Sequence, residues 1–166
     1  HRSHASIVGV PAHLTEAGVG FVISREVKAL NKLLYNPGRP FVAVVGGVKV
    51  SDKLGVLNSL LQRIDTLCIG GAMAYTFLRA SGVSVGSSRV EEDRIQVAKD
   101  VLERARLRGV KILLPVDHLV ADHFAEDASA KILPEAAIAA GWMGLDIGPD
   151  TRALYGEQIA GAGSVF

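Results

Sequence analysis

Aromatic residues are scarce in this chain of 166 residues, at 5% of positions with a single tryptophan. A core must then be built from Val, Leu, Ile and Ala, the composition of parallel strands buried on both faces. Cysteine is nearly absent: Cys68 alone excludes a disulfide framework and suits a reducing compartment. Prolines number six against eighteen glycines, a balance that favours tight strand-to-helix turns over disorder. No apolar run approaches the roughly 18 residues of a membrane span. Nor does any stretch carry the charged start and hydrophobic segment of a secretion signal. An excess of one charge is missing as well. Eighteen basic and seventeen acidic residues intermix to a net charge of +1, which argues against nucleic acid or a membrane as the main partner. A soluble, cytoplasmic protein is expected.

What is present is a repeated pattern. Within 17–34, Ile23, Val27, Leu30 and Leu34 recur at helical spacing. The Asn36–Pro40 stretch breaks the chain, and Phe41–Val45 reads as a buried strand ending at Gly46-Gly47. Ser51 is placed as the N-cap of a helix whose inner side is Val50, Leu54, Leu57 and Leu61. A second strand, Thr66–Ile69, ends at Gly70-Gly71 and leads into a helix over Met73–Ala80. Glu91-Glu92-Asp93 opens another helix with inner residues Ile95, Ala98, Leu102 and Ala105; Arg104, Arg106 and Arg108 close it before Gly109. Strands follow at Val110–Leu114, more weakly at Val116–His123, and at Gly144–Gly148. A helix over Thr151–Ala160 and the start of a strand at Gly163–Phe166 complete the reading. The expected fold class is α/β: a doubly wound parallel sheet in three layers, with helices on both faces. The chain opens at His1 and closes on a strand-like run, so the sheet is expected to be incomplete at its carboxyl-terminal end.

Three constellations bear on chemistry. In Gly46-Gly47-Val48-Lys49-Val50-Ser51-Asp52-Lys53, two glycines admit a ligand to the backbone, and the following helix offers free N–H groups and a positive dipole end. Lys49 and Lys53 lie four apart, the spacing of one helical face, so two ammonium groups could meet one anion, as phosphoryl transfer requires. A tight turn followed by two solvated lysines fits the same pattern. Gly70-Gly71 ends the neighbouring strand at the same crest, where open parallel sheets hold their ligands. No P-loop and no strand-borne Gly-x-Gly-x-x-Gly is present. His1-Arg2-Ser3-His4 reads either as a clamp for a carboxylate or phosphate or as a solvated terminus. Gly141–Pro149, with Trp142, reads as a wall for a flat ring or as a core strand with turns. His118, Asp122 and His123 have no strong metal-site spacing and are expected at the surface. Asp117 reads as structural, and Cys68 as a buried, inert thiol.

Taken together, these segments resemble phosphoglycerate kinase. The likeness is carried by His1–Ser6, Arg39–Lys53, Gly70–Leu78, Leu114–Asp117 and Trp142–Pro149, in the order the family has them. It implies phosphoryl transfer between 1,3-bisphosphoglycerate and ADP to give 3-phosphoglycerate and ATP, with Mg²⁺ on the nucleotide and no metal ligand in this segment. Arg2 would hold 3-phosphoglycerate, with His1 and His4 in the same basic patch. Lys49 would neutralise the migrating phosphoryl group and Lys53 would contact the nucleotide phosphates. Gly47, Gly71 and Ala72 would line one side of the adenine site, with Met143, Gly144 and Leu145 near the other. Residues 1–16 would form the lobe junction, 17–36 the connector helix and 37–166 part of the nucleotide-binding domain of a monomeric parent. Ala72 stands where many members have a third glycine, and Val48 where Ala or Ser is usual. The family's amino-terminal lobe, and the glycine-rich turns that follow its nucleotide half, have no counterpart in these residues. The segment alone is thus expected to be inactive. A stand-alone nucleotide-binding module without catalysis is the other reading.

Overall fold

The protein is described by a computed structural model covering residues 4–166, apart from the side chain of Ile7. These residues divide into two compact units, one up to Asn36 and the other Pro37–Phe166. In the first unit a π-helical turn, Ala5–Gly9, runs into a short helix, Val10–Ala12, and a longer helix, α1, spans Phe21–Tyr35. Helix α1 starts later than the apolar spacing suggests because Gly20, in extended conformation, is its N-cap. Its Ile23, Val27, Leu30 and Leu34 do share a face, yet no residue of α1 is buried.

The second unit contains β1 (Phe41–Val45), α2 (Leu54–Leu60), β2 (Thr66–Ile69), α3 (Met73–Ala80), α4 (Ile95–Leu107) and β3 (Lys111–Leu113). It continues with β4 (His118–Ala121), β5 (Ala130–Leu133), β6 (Met143–Ile147), α5 (Pro149–Ala160) and β7 (Ser164–Val165). Strands β3, β2, β1 and β7 form a parallel sheet in that order. Side chains alternate across a strand, so Val42 and Cys68 belong to one face and Phe41, Ala43, Val45, Leu67 and Ile69 to the other. All are buried, as strands covered on both faces must be. The α/β reading with a parallel sheet and helices holds.

Helix α5 packs against the Val42–Cys68 face through Tyr155, whose hydroxyl donates to the carbonyls of Ile69 at 2.7 Å and Leu113 at 3.1 Å. That bond ties the carboxyl ends of β2 and β3 together. Cys68 has no exposed surface, and burial pushes its thiol up to about 11, consistent with an inert group. On α4 the buried residues are Ala98, Val101 and Ala105, so the inner face lies slightly off the expected one.

Strands β4, β5 and β6 form a separate antiparallel sheet, with β4 in the centre. The sequence reading placed all strands in one parallel sheet and did not anticipate β5. The reason is connectivity: parallel neighbours need a crossover, usually helical, whereas antiparallel ones can be joined by a loop. No helix separates β4 from β5 or β5 from β6. His118, expected at the surface, is instead fully buried on β4, with its Nε2 3.0 Å from the Ala136 carbonyl. Desolvation holds its imidazole below the ordinary histidine value.

Asp117 lies between β3 and β4 and binds the start of α5. Its carboxylate accepts from the amides of Asp150 at 2.9 Å and Thr151 at 2.8 Å, and from the Thr151 hydroxyl at 2.5 Å. Helix α5 is therefore capped by a residue distant in sequence, which satisfies amide donors at its amino end. Burial opposes the Asp117 charge, but the Thr151 hydroxyl and the two amides outweigh it and hold the carboxyl below its ordinary 3.8. The resulting stabilisation is complete above that ordinary value and is lost as pH falls through the lowered one. Asp117→Asn is expected to cost about 1–3 kcal/mol at neutral pH. In urea melts over a pH series, the gap between variant and parent should close as the medium becomes more acidic.

Candidate functional site

Parallel register brings the two glycine pairs together. Val45 lies opposite Ile69 in the ladder, and the Gly70 amide donates to the Val45 carbonyl at 2.9 Å. Beyond the strand ends, the Met73 amide donates to the Gly47 carbonyl at 3.0 Å. Gly71 has a φ of +66°, and a Cβ there would stand 2.8 Å from both the nitrogen and the oxygen of Gly47. Only glycine permits both that backbone angle and that approach. Two strand ends from separate parts of the sequence thus form one continuous backbone surface.

Lys53 is half-buried and folds back over this surface: its Cε lies 3.6 Å from where a Cβ on Gly47 would be. Lys49 is exposed in the preceding loop. The two lysines do not share a helical face, as their spacing had suggested. Helix α2 begins only at Leu54, after a 3₁₀ turn over Ser51–Lys53. Neither ammonium group has an ion pair or hydrogen bond among the described residues.

The expectation of free N–H groups at this turn is corrected by Glu91. Its carboxylate accepts from the Val50 amide in a short hydrogen bond, from the Ser51 amide at 3.4 Å and from the Ser51 hydroxyl at 2.8 Å. Ser51 is therefore held by a distant carboxylate and does not cap the helix with its own side chain. Burial raises the Glu91 carboxyl, but the Ser51 hydroxyl and the two amides more than offset this, so it lies below its ordinary value. The Glu91 amide in turn donates to the Thr76 hydroxyl on α3 at 3.1 Å. A single acidic residue fixes the lysine-bearing loop to the second glycine-tipped unit.

Beside the glycine surface lies a cavity of about 310 Å³, lined by Val48, Ala72, Arg89, Phe124, Met143, Gly144 and Leu145. Its volume is at the lower end of small-molecule sites, and apolar walls are what a flat ring needs. Gly144 is the point where β6 meets α3. A Cβ there would fall 2.1 Å from the Tyr75 hydroxyl oxygen, so no larger residue fits. The Gly144 amide donates to the Ser88 hydroxyl at 2.9 Å, which fixes that wall.

The structure thus brings Ala72, Met143, Gly144 and Leu145 into one cavity, next to Gly47, Gly71 and Lys53. Trp142 does not line it. Its ring packs on the cluster of Tyr75, Leu78, Val85, Val120 and Ile138, and carries the Lys131 ammonium 3.9 Å from its centroid. His4 belongs to the first unit, where its Nδ1 lies 2.8 Å from the Ser6 hydroxyl and accepts from the Ser6 amide at 3.3 Å. His1 and Arg2 lie outside the described residues. Sequence reasoning missed Arg89 and Phe124, whose neighbours form no motif, and it took Val48 only as a departure from pattern.

A family model described as phosphoglycerate kinase matches residues 1–166. The chain belongs to the phosphoglycerate kinase family. It is 53% identical over 166 residues to a phosphoglycerate kinase of Clostridium perfringens (strain SM101 / Type A) and 49% identical over 165 residues to one of Clostridium botulinum (strain Hall / ATCC 3502 / NCTC 13319 / Type A). Among solved structures, it resembles a phosphoglycerate kinase from Coxiella burnetii over 99% of its length, with a TM-score of 0.90 and 42% identity. A second, from Pyrococcus horikoshii OT3, gives a TM-score of 0.75 at 26% identity over the same share. In each case the chain spans 42% of the phosphoglycerate kinase it matches.

Because Glu91 serves the fully buried Val50 and its neighbour, Glu91→Ala leaves two amides without their acceptor. A loss of about 1–3 kcal/mol is expected from urea unfolding.

Proposed function

We propose that this chain supplies the nucleotide-binding part of a kinase that transfers a phosphoryl group from 1,3-bisphosphoglycerate to ADP. One observation carries the reading: two glycine-tipped strand ends in backbone contact, with Lys53 folded across them, lie beside an apolar cavity. The base enters the cavity between Ala72 on one side and Met143, Gly144 and Leu145 on the other. Gly47 and Gly71 let the nucleotide approach the backbone. Lys53 then faces its phosphates and Lys49 the migrating phosphoryl group, lowering the barrier by neutralising charge that spreads over the phosphoryl oxygens. In the transfer, the acyl–phosphate bond breaks, the terminal oxygen of ADP gains the phosphoryl group, and a carboxylate leaves as 3-phosphoglycerate.

Arg2, with His1 and His4, is assigned to the acid substrate on the strength of the family motif. Mg²⁺ is assigned to the nucleotide phosphates and supplies further charge neutralisation there. This chain's contribution would be to position the phosphates on which that ion rides. The working division is a lobe junction at 1–16, a connector helix within 17–36 and a partial nucleotide-binding domain at 37–166.

In the full-length protein, Lys53→Ala should weaken ADP binding by about 1–3 kcal/mol, as the loss of a charged hydrogen bond does, while AMP binding changes little. Isothermal titration with both nucleotides checks this. An equal loss for AMP, or none for ADP, would remove Lys53 from the phosphate site. The 166 residues by themselves should give no measurable turnover in a coupled assay, because both substrates must be aligned by closure around them. Appreciable turnover would show that this chain holds a complete active site.

A further inference from the structure

Lys49 and Lys53 flank the Val50–Ser51 pair, and neither ammonium group has an ion pair or hydrogen bond among the described residues. A long, rotatable side chain without a partner is placed by the backbone it leaves from. That backbone is held at two points. The Gly47 carbonyl accepts from the Met73 amide, at the start of α3, at 3.0 Å. Further along, the Glu91 carboxylate accepts from the amides of Val50 and Ser51 and from the Ser51 hydroxyl. The Val50 carbonyl accepts in turn from the Lys53 amide at 3.0 Å, so Lys53 is one hydrogen bond removed from a residue that Glu91 grips. Glu91 is itself tied to α3, because its amide donates to the hydroxyl of the buried Thr76. Gly47, Met73, Thr76, Glu91 and Val50 thus form a closed circuit through α3, the helix that follows the second glycine pair.

Resting on the nucleotide reading above, we propose that Glu91 is a positioning residue for phosphoryl transfer, setting where Lys49 and Lys53 stand by holding the peptide units between them. A carboxylate is an acceptor only, and here it is met by two amides and a hydroxyl. Bonds to a charged acceptor are stronger than neutral ones, so the turn is stiffened without withdrawing either lysine from the substrate. A carboxylate paired with an ammonium would do the opposite, cancelling charge that phosphoryl transfer needs. Alignment matters here because a misplacement of about 1 Å costs on the order of 100-fold in rate. The wall of the base cavity is fixed separately, by the Gly144 amide on the Ser88 hydroxyl. Truncating Glu91 also spares its bond to Thr76, which is made by the backbone. Loss of this side chain therefore reaches the phosphates and leaves the base.

The test is steady-state kinetics and isothermal titration of the full-length protein, below the onset of unfolding. The variants are Glu91→Ala, Glu91→Gln, Lys53→Ala and the double variant Glu91→Ala/Lys53→Ala. In Glu91→Ala, kcat should fall by on the order of 10- to 100-fold, while KM for 1,3-bisphosphoglycerate stays within about 2-fold, the mark of contacts made in the transition state. ADP should bind about 10-fold more weakly and AMP within about 2-fold of the parent, because AMP lacks the terminal phosphate that Lys53 faces. On the Lys53→Ala background, Glu91→Ala should cost ADP no more than about a further 2-fold, since both changes act through one contact. Glu91→Gln keeps an oxygen for one amide and should fall between the parent and Glu91→Ala in kcat and ADP affinity. It carries the test if Glu91→Ala does not fold. Lower urea stability with kcat and ADP affinity unchanged would make Glu91 a structural residue alone and overturn the proposal. So would equal losses for ADP and AMP, or Glu91 and Lys53 losses that simply add. If Lys53→Ala leaves ADP binding unaltered, the nucleotide reading falls and this one with it. If Lys53→Ala weakens ADP while the Glu91 variants are silent, only the role of Glu91 falls.

Discussion

The contact between Gly71 and the backbone of Gly47 is the constraint on which the site depends. It exists because β1 and β2 are parallel and in register, with Val45 opposite Ile69, so both strands end at the same level. A Cβ on Gly71 would press against the Gly47 backbone at 2.8 Å and separate the two turns. Once they touch, the following segments have little freedom. Met73 bonds to Gly47, α3 starts where it does, and Lys53 lies across the glycine surface with no side chain in its way.

Charge is managed around this contact in two distinct ways. The lysines have no anionic partner among the described residues, while the amides beside them are already occupied by Glu91. The turn thus carries its own carboxylate, which orders the backbone without pairing with Lys49 or Lys53. Asp117 works in the same manner at α5, where a carboxylate from the β3–β4 junction caps a distant helix. In both places a long-range acidic residue does what a local Ser or Thr cap does in an isolated helix.

The antiparallel sheet shapes the remainder of the cavity. Strand β6 brings Met143, Gly144 and Leu145 opposite Ala72, and its approach is set by the near contact of Gly144 with Tyr75. The same junction places Arg89, because Ser87 and Ser88 bond to Trp142 and Gly144. The match to phosphoglycerate kinases runs over the whole chain, which spans 42% of its relatives' length.

Local pattern alone determined the strand–Gly-Gly–helix units, the apolar strands of the parallel sheet, the helical face of α1 and the motif order that places the chain in its family. These signals are legible because each is short-range: a pleat, a helical period or a glycine turn is written within a few neighbouring residues. Tertiary structure alone decided the rest. It separated β4, β5 and β6 into their own sheet, buried His118, removed Lys49 from any helix and gave the Ser51 turn to Glu91, 40 residues away. Arg89 and Phe124 reached the cavity by the same route. Their roles depend on which distant segments pack together, and no local pattern records that, because the partners are chosen by the folded chain as a whole.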